Sequence, residues 1–437
     1  MNDLLIYARA VHFASTMLAT GIVFFSISVA EPAFNASPNG ALAATLRRRF
    51  ASIVWISLAL ALLSGASWFV LTAASMSGQP LAQIYAQDVL STVLWQTDFG
   101  NDWLARLVLA CLLAAASIAL LSGKGCARPW LKATTGALAA AFVGSLAWAG
   151  HAIGAEGAEG IVHPIADVLH LLAAAAWVGS LVPLALILAA AGRDTPTLVV
   201  ARTATLRFST LGIVSVATLF VTGTVNTWYL AGSVDALTET RYGRLLLIKI
   251  AVFFAMVGVA AVNRLRLTPR LADGADSAKA QTASRALCRN AVVEAALGAA
   301  AVAIVAVLGT LPPGNHADHH AAEGAIPADA AFQHIHGESG MADVTIEPGH
   351  AGTANVTVHL LNDDLDTLAA RQLTITLTAP ASGSRPVTRS AVVDADGNWH
   401  VGDIALTMSG NWTVAIDALL TSDKHLTLAA PIEIEAK

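Results

Sequence analysis

Up to about residue 311 the apolar positions come in long runs almost free of charge, and beyond it they come in short runs that alternate with polar residues. A bilayer core takes about 20 apolar residues per helix. Windows of that kind lie near 4–30, 50–74, 103–122, 132–153, 163–191, 208–231, 244–267 and 286–309, and they predict eight membrane helices. Further on the period falls to two, in Asp343–Ile346, Asn355–Leu360, Leu373–Leu377, Ser390–Val393, Trp399–Leu406, Trp412–Ile416 and Leu426–Leu428, with Gly, Pro and Asp turns between. Seven such runs predict a small β-sandwich. The expected architecture is an all-α polytopic bundle over 1–311, a linker over 312–331 and an all-β sandwich over 332–437.

The helical part reads as a tandem repeat of two four-helix units, about 1–155 and 160–311. His12 precedes Gly21 by nine residues, as His170 precedes Gly179. Arg49-Phe50 stands 16 residues before Gly65, as Arg207-Phe208 stands before Gly223. Thr97-Asp98-Phe99-Gly100 leads to Arg106 as Thr240-Arg241-Tyr242-Gly243 leads to Lys249. Ordered landmarks at kept spacing argue duplication. With four spans per unit, the copies share one orientation and should be related by a pseudo-two-fold axis along the membrane normal.

Charge sets the orientation. The connections after the first, third, fifth and seventh helices carry fifteen Lys and Arg, whereas the opposite ones carry Arg241 and Arg244. By the positive-inside rule both termini, the loops 75–102 and 154–162 and the tail are extracytoplasmic. The first apolar run has no basic leader and no cleavage site, so it is expected to remain as a helix. At 55% hydrophobic and 13% charged, with mean hydropathy +0.62, the 437 residues are too apolar for an ordinary soluble enzyme. A net charge of −5 leaves no basic face for nucleic acid. No G-x-x-x-x-G-K-[ST] run occurs, and the longest cytoplasmic connection, about 268–285, has no room for a nucleotide-binding domain. Cys111, Cys126 and Cys288 all precede the tail, which therefore has no disulfide framework.

Candidate chemistry follows from the histidines. His12 and His170 each lie about eight residues into a helix entered from outside, about 12 Å deep. If both face the repeat axis, two imidazoles meet there and can hold a metal ion or the two axial positions of a haem; helix-packing hydrogen bonds are the plainer account. His163, Asp167 and His170 share one helix face, with Trp177 a heptad further, and His151 closes the preceding span. That stripe reads as a ladder of cation ligands, although an interfacial position would also explain His151 and His163. Arg106 and Lys249 are expected to snorkel to the outer interface. Glu294 is either an ion relay or the buried partner of an Arg or Asn.

In the tail, the linker carries His316, His319 and His320, a weak metal-collecting tract. His334 and His336 fall on one face of an extended run, and a Gly337–Gly340 turn would return Met341 beside them. Two imidazoles and a thioether without a thiolate suit copper better than magnesium or calcium, and zinc gains little from methionine. His350 is a weaker addition; His359, His400 and His425 read as surface residues.

The run His170-Leu-Leu-Ala-Ala-Ala-Ala-Trp177-Val-Gly179, the Arg207-Phe208-Ser209 segment and Thr240 through Lys249 to Asn263-Arg264 resemble the copper resistance protein D family, across all eight spans and most strongly over about 163–270. The stretch from His334 to Pro348-Gly349 resembles the extracytoplasmic β-domain fused to some members. The resemblance implies a bacterial inner-membrane protein in copper homeostasis, with copper as Cu(I) or Cu(II), no catalytic activity, and His12, His151 and His170 as membrane ligands. The leading expectation is copper transport from periplasm to cytoplasm, with the tail receiving the ion, from a periplasmic copper chaperone under one reading. A haem-binding electron-transfer protein or cupric reductase is the alternative. A copper buffer or sensor anchored by the bundle is the third.

Overall fold

In a bilayer an extended backbone has no water to satisfy its N–H and C=O groups, so apolar runs of this length close their hydrogen bonds within helices. The computed structural model of the protein describes residues 2–37, 40–77, 81, 84, 89–121, 128–149, 159–192, 195–231, 237–238, 240–272, 277–311, 327, 329–337, 340–362, 367–379, 386–394, 397–420 and 424–435. These fall into two compact units, the helices up to Leu311 and the β-unit from Pro327 on.

The long helices are α1 (Asn2–Phe25, continued by a π turn Ser26–Ala30 and by Glu31–Asn35), α2 (Gly40–Ser77), α3 (Asp98–Leu121), α4 (Pro129–Gly144), α5 (Glu159–Ala190), α6 (Thr195–Ala231), α7 (Arg241–Val262) and α8 (Ser277–Leu308), with a short helix Val89–Gln96 ahead of α3. A π turn, Asn263–Leu267, carries α7 on into Thr268–Ala272. Seven of the described helices are long and apolar enough to cross a membrane. The remaining expected span, 132–153, corresponds to α4, whose 16 α-helical residues are prolonged by a five-residue 3₁₀ segment, Ser145–Ala149. Its end, residues 150–153, lies outside the described residues.

Local chemistry sets the ends. Pro129 opens α4, where a missing N–H costs nothing. Thr240 caps α7 by accepting from Gly243 N at 2.9 Å, and Thr97 caps α3 by accepting from Gly100 N at 3.1 Å. The two caps occupy corresponding places in the two halves. The extension of α1 is clamped to α2 by a bidentate pair, Arg47 to both oxygens of Glu31 at 2.7 Å each.

The halves meet where α1 crosses α5. A Cβ on Gly179 would lie 2.3 Å from Met17 O, and one on Gly21 would lie 2.5 Å from Ala175 O. Met17 and Ala175 are themselves 158 positions apart, as are Gly21 and Gly179, so the contact is reciprocal, as a pseudo-two-fold requires. Glycine here lets two backbones touch, and Ser180 Oγ donates to Gly21 O at 3.1 Å across the seam.

Among the described residues the β-unit holds nine strands in two antiparallel sheets: β1 (Ala331–Gly337), β2 (Gly340–Glu347), β3 (Gly352–Leu361), β7 (Trp399–Leu406) and β6 (Val392–Val393) in that order, and β5 (Val387–Ser390), β4 (Gln372–Thr378), β8 (Gly410–Leu419) and β9 (His425–Ile434). Alternate residues of both sheets, such as Val344, Val358, Ile375, Trp412 and Ile416, fill one core between them. The single run expected at 390–393 divides between the sheets, β5 pairing with β4 and β6 with β7.

Candidate functional site

His12 is buried, 2% exposed, inside the first half. Its Nδ1 donates to Ala61 O at 2.9 Å on α2, which makes Nε2 the acceptor, and Arg106 Nη2 on α3 donates to it at 2.6 Å. Arg106 is equally buried, and its Nη1 donates to Ser145 Oγ at 2.7 Å. Trp68 and Trp103 pack their rings edge-on against the imidazole at 5.6 and 5.2 Å. Both ring nitrogens are therefore engaged, and a permanently charged guanidinium occupies the position a metal cation would take. Arg106 does not snorkel as expected: His12 and Ser145 hold its two Nη atoms inside the bundle, while its Nε is buried without a hydrogen-bond partner.

His170 repeats half of this arrangement. Its Nδ1 lies 3.0 Å from Thr222 Oγ1, as His12 Nδ1 lies 3.4 Å from Ser64 Oγ. Its Cε1 rests 3.5 Å from where a Cβ on Gly223 would stand, as that of His12 rests 3.2 Å from Gly65. Lys249 takes the part of Arg106 and acts electrostatically on both His170 and Asp167, so it too faces the protein interior.

Nine residues along an α-helix turn the side chain through half a circle. The glycines that bring α1 and α5 together therefore point opposite to His12 and His170, and each imidazole looks into its own half. The expectation that the two rings meet at the repeat axis is corrected: His12 is held among Ala61, Ser64 and Arg106, and His170 against Thr222, each in its own half. The paired-imidazole basis of the electron-transfer reading goes with it.

The stripe on α5 is present and faces α6. His163 Nε2 stands 3.8 Å from Asp167 Oδ2, and its ring stacks on Tyr229 at 5.4 Å. Asn226 Nδ2 donates to Asp167 Oδ1 at 2.5 Å. In the first half the places of His163 and Asp167 are taken by Leu5 and Arg9, and Arg9 lies over the Trp68 ring at 4.8 Å. The two halves thus differ here: a carboxylate with two imidazoles in the second, two guanidiniums in the first. Among the described residues no three His, Cys, Asp or Glu side chains form a ready cage for a metal, so the stripe offers ligands in succession. His151 lies outside the described residues.

In the tail, β1 and β2 pair with His334 opposite Asp343, His336 opposite Met341 and Gly337 opposite Gly340, the return expected for Met341. His334 Nδ1 and Asp343 Oδ1 are hydrogen-bonded, and on the next strand Asp343 is opposite His359. Met341 and Asp343 are buried. The side chain of His336 and the whole of His316, His319 and His320 lie outside the described residues. His350 bonds Ala351 O at 3.2 Å and is bridged to Glu435, apart from that face. Asp343, Asn226 and Thr222 escape a reading of the sequence; only strand register and the 52- and 59-residue separations of the α5–α6 pairs bring them in.

Two family descriptions match the chain: copper resistance protein D over residues 202–308 and the copper resistance protein D-like N-terminal domain over 1–161. It is 33% identical to the copper resistance protein D of Pseudomonas syringae pv. tomato over 56% of this chain and 78% of that protein. It is 29% identical to the inner membrane protein YebZ of Escherichia coli K12, over 70% and 97% of the two chains. With the copper transport protein CutJ of Bacillus subtilis it shares 24% identity over 94% of this chain and 71% of that one.

Proposed function

The chain belongs to the copper resistance protein D family, and from that premise we propose that it carries copper across the bacterial inner membrane, from periplasm to cytoplasm, through the second half of its bundle. As a multi-pass inner-membrane protein of a copper resistance family, it handles copper as cargo rather than as a resident cofactor. Loop charge supports an arrangement with both termini outside. The tail then meets the ion first, received from a periplasmic carrier, at His334, His336 and Met341. The carboxylate of Asp343 fixes the tautomer and direction of His334, as carboxylates do behind metal-binding imidazoles. The ion then passes to His163, Asp167 and His170. The observation that carries this reading is the divergence of the two copies: the second keeps a carboxylate between two imidazoles, where the first has Leu5, Arg9 and a His12 already bonded at both nitrogens. Successive weak ligands suit an ion that must leave again.

The test is copper accumulation by cells and copper bound per purified chain. Asp167→Asn and His170→Ala are each expected to lower accumulation on the order of 10–100-fold; unchanged values would remove the stripe from the route. Asp343→Asn is expected to weaken the copper affinity of the tail by a similar factor while leaving the membrane stoichiometry intact, read by titration of the full chain. Deleting 312–437 separates transport from buffering. Retained uptake supports passage through the bundle, whereas lost tolerance with unchanged uptake would make the tail a store.

A further inference from the structure

Glu294, midway along α8, is 2% exposed. Asn263 Nδ2 donates to its Oε1 at 2.6 Å, and Asn290 Nδ2 donates to Asn263 Oδ1 at 2.7 Å. Asn263 begins the π turn of α7, a distortion that recurs at functional sites because it frees backbone groups and re-aims side chains. The carboxyl lines a cavity of about 490 Å³ between α5, α6, α7 and α8, whose walls are mostly apolar and include Trp177, Phe208 and Phe253. Polar lining groups sit beside Asn263, namely Thr205, Ser209, Arg264 and Thr268, at the ends of α6 and α7 that loop charge assigns to the cytoplasm.

We propose that Glu294 is the proton-binding site that couples copper movement to the proton gradient, exchanging its proton with the cytoplasmic side. A carboxyl inside a membrane bundle is held only with a proton or a facing cation, and among the described residues no cation pairs with this one. Arg264 shares the cavity but donates to Ser209 Oγ at 2.6 Å. On α1, Arg9 and His12 belong to the outer pocket, and Glu31 is paired with Arg47. On α8 itself Cys288 turns to Ala185 O. From α5 comes Trp177, 1% exposed, which sits on the same helix face as His163, Asp167 and His170. One helix therefore carries both the copper stripe and a residue that lines the cavity with the carboxyl, so that a shift of α5 on copper binding alters the surroundings of Glu294. The step is a reversible protonation: the carboxylate takes one proton and releases it, with no other bond changed.

This rests on the transport reading, and the experiment keeps the two apart. The full chain is reconstituted in vesicles with copper as the probe, and copper uptake and internal pH are followed together. In the wild type, copper uptake should move protons and respond to an imposed pH gradient. In Glu294→Gln the gradient-driven rate should fall on the order of ten-fold or more, while copper bound per chain and copper-for-copper exchange persist. Glu294→Asp should restore the pH response. Wild-type copper uptake without proton movement, or an unchanged pH response in Glu294→Gln, overturns the coupling alone. Absence of any copper flux in the wild type overturns the transport reading and the coupling with it. Should Glu294→Gln not assemble, the wild-type measurement still decides.

Discussion

Valine at Gly179 is expected to prevent the two halves of the bundle from assembling. Its first carbon would lie 2.3 Å from Met17 O and 2.9 Å from Gly21 Cα, and both are backbone atoms, which cannot rotate aside as a side chain does. Relief requires the axes of α1 and α5 to separate, which would break the Ser180 to Gly21 hydrogen bond and open the packing on both sides of it. Overfilling an ordinary core costs about 1–3 kcal/mol, and a backbone clash at a central seam should exceed that. Gly21→Val should behave alike, since Ala175 O stands 2.5 Å away. Gly212 and Gly258 have nothing within 4 Å, so alanine there should be neutral or stabilise by up to about 1 kcal/mol through helix propensity. Folded yield and melting temperature in detergent decide the matter. A Gly179→Val protein that melts with the wild type would remove the seam.

His12→Leu is expected to destabilise the protein while leaving its copper content per folded chain untouched. Leucine keeps most of the volume beside Trp68 and Trp103 but removes the acceptor for Arg106, leaving a buried guanidinium short of a partner. A hydrogen bond to a charged group is worth about 1.5–3 kcal/mol. If that bond is the cause, the double change His12→Leu with Arg106→Leu should cost less than the sum of the single changes. Thermal unfolding and metal analysis of the same preparations test both halves of the statement. Loss of copper without loss of stability would instead return His12 to the set of ligands.

Hydropathy alone carries the membrane helices, because backbone satisfaction in lipid admits little else. Their ends are less accessible to it: α2 begins at Gly40 rather than near 50, and α6 at Thr195 rather than near 208, since each helix continues past the apolar run into segments rich in Arg and Thr. Among the described residues the nine strands exceed the expected seven because β1 precedes the alternating runs and a break at Ala391 divides one run between two sheets. The α5 stripe and the return of Met341 beside His336 were readable, since a helix and a tight hairpin impose their periods on neighbours close in sequence.

From its residue pattern alone this protein had a membrane bundle, a β-rich tail, and a histidine and a glycine at matching places in the first and fifth helices. Which of the two would face the seam between α1 and α5 was decided only by tertiary packing. Backbones approach most closely where no side chain stands between them, so the glycines took the seam. Half a turn away, the imidazoles were directed into separate pockets, where the residues on α3 and α7, an arginine in one copy and a lysine in the other, gave them different chemistry.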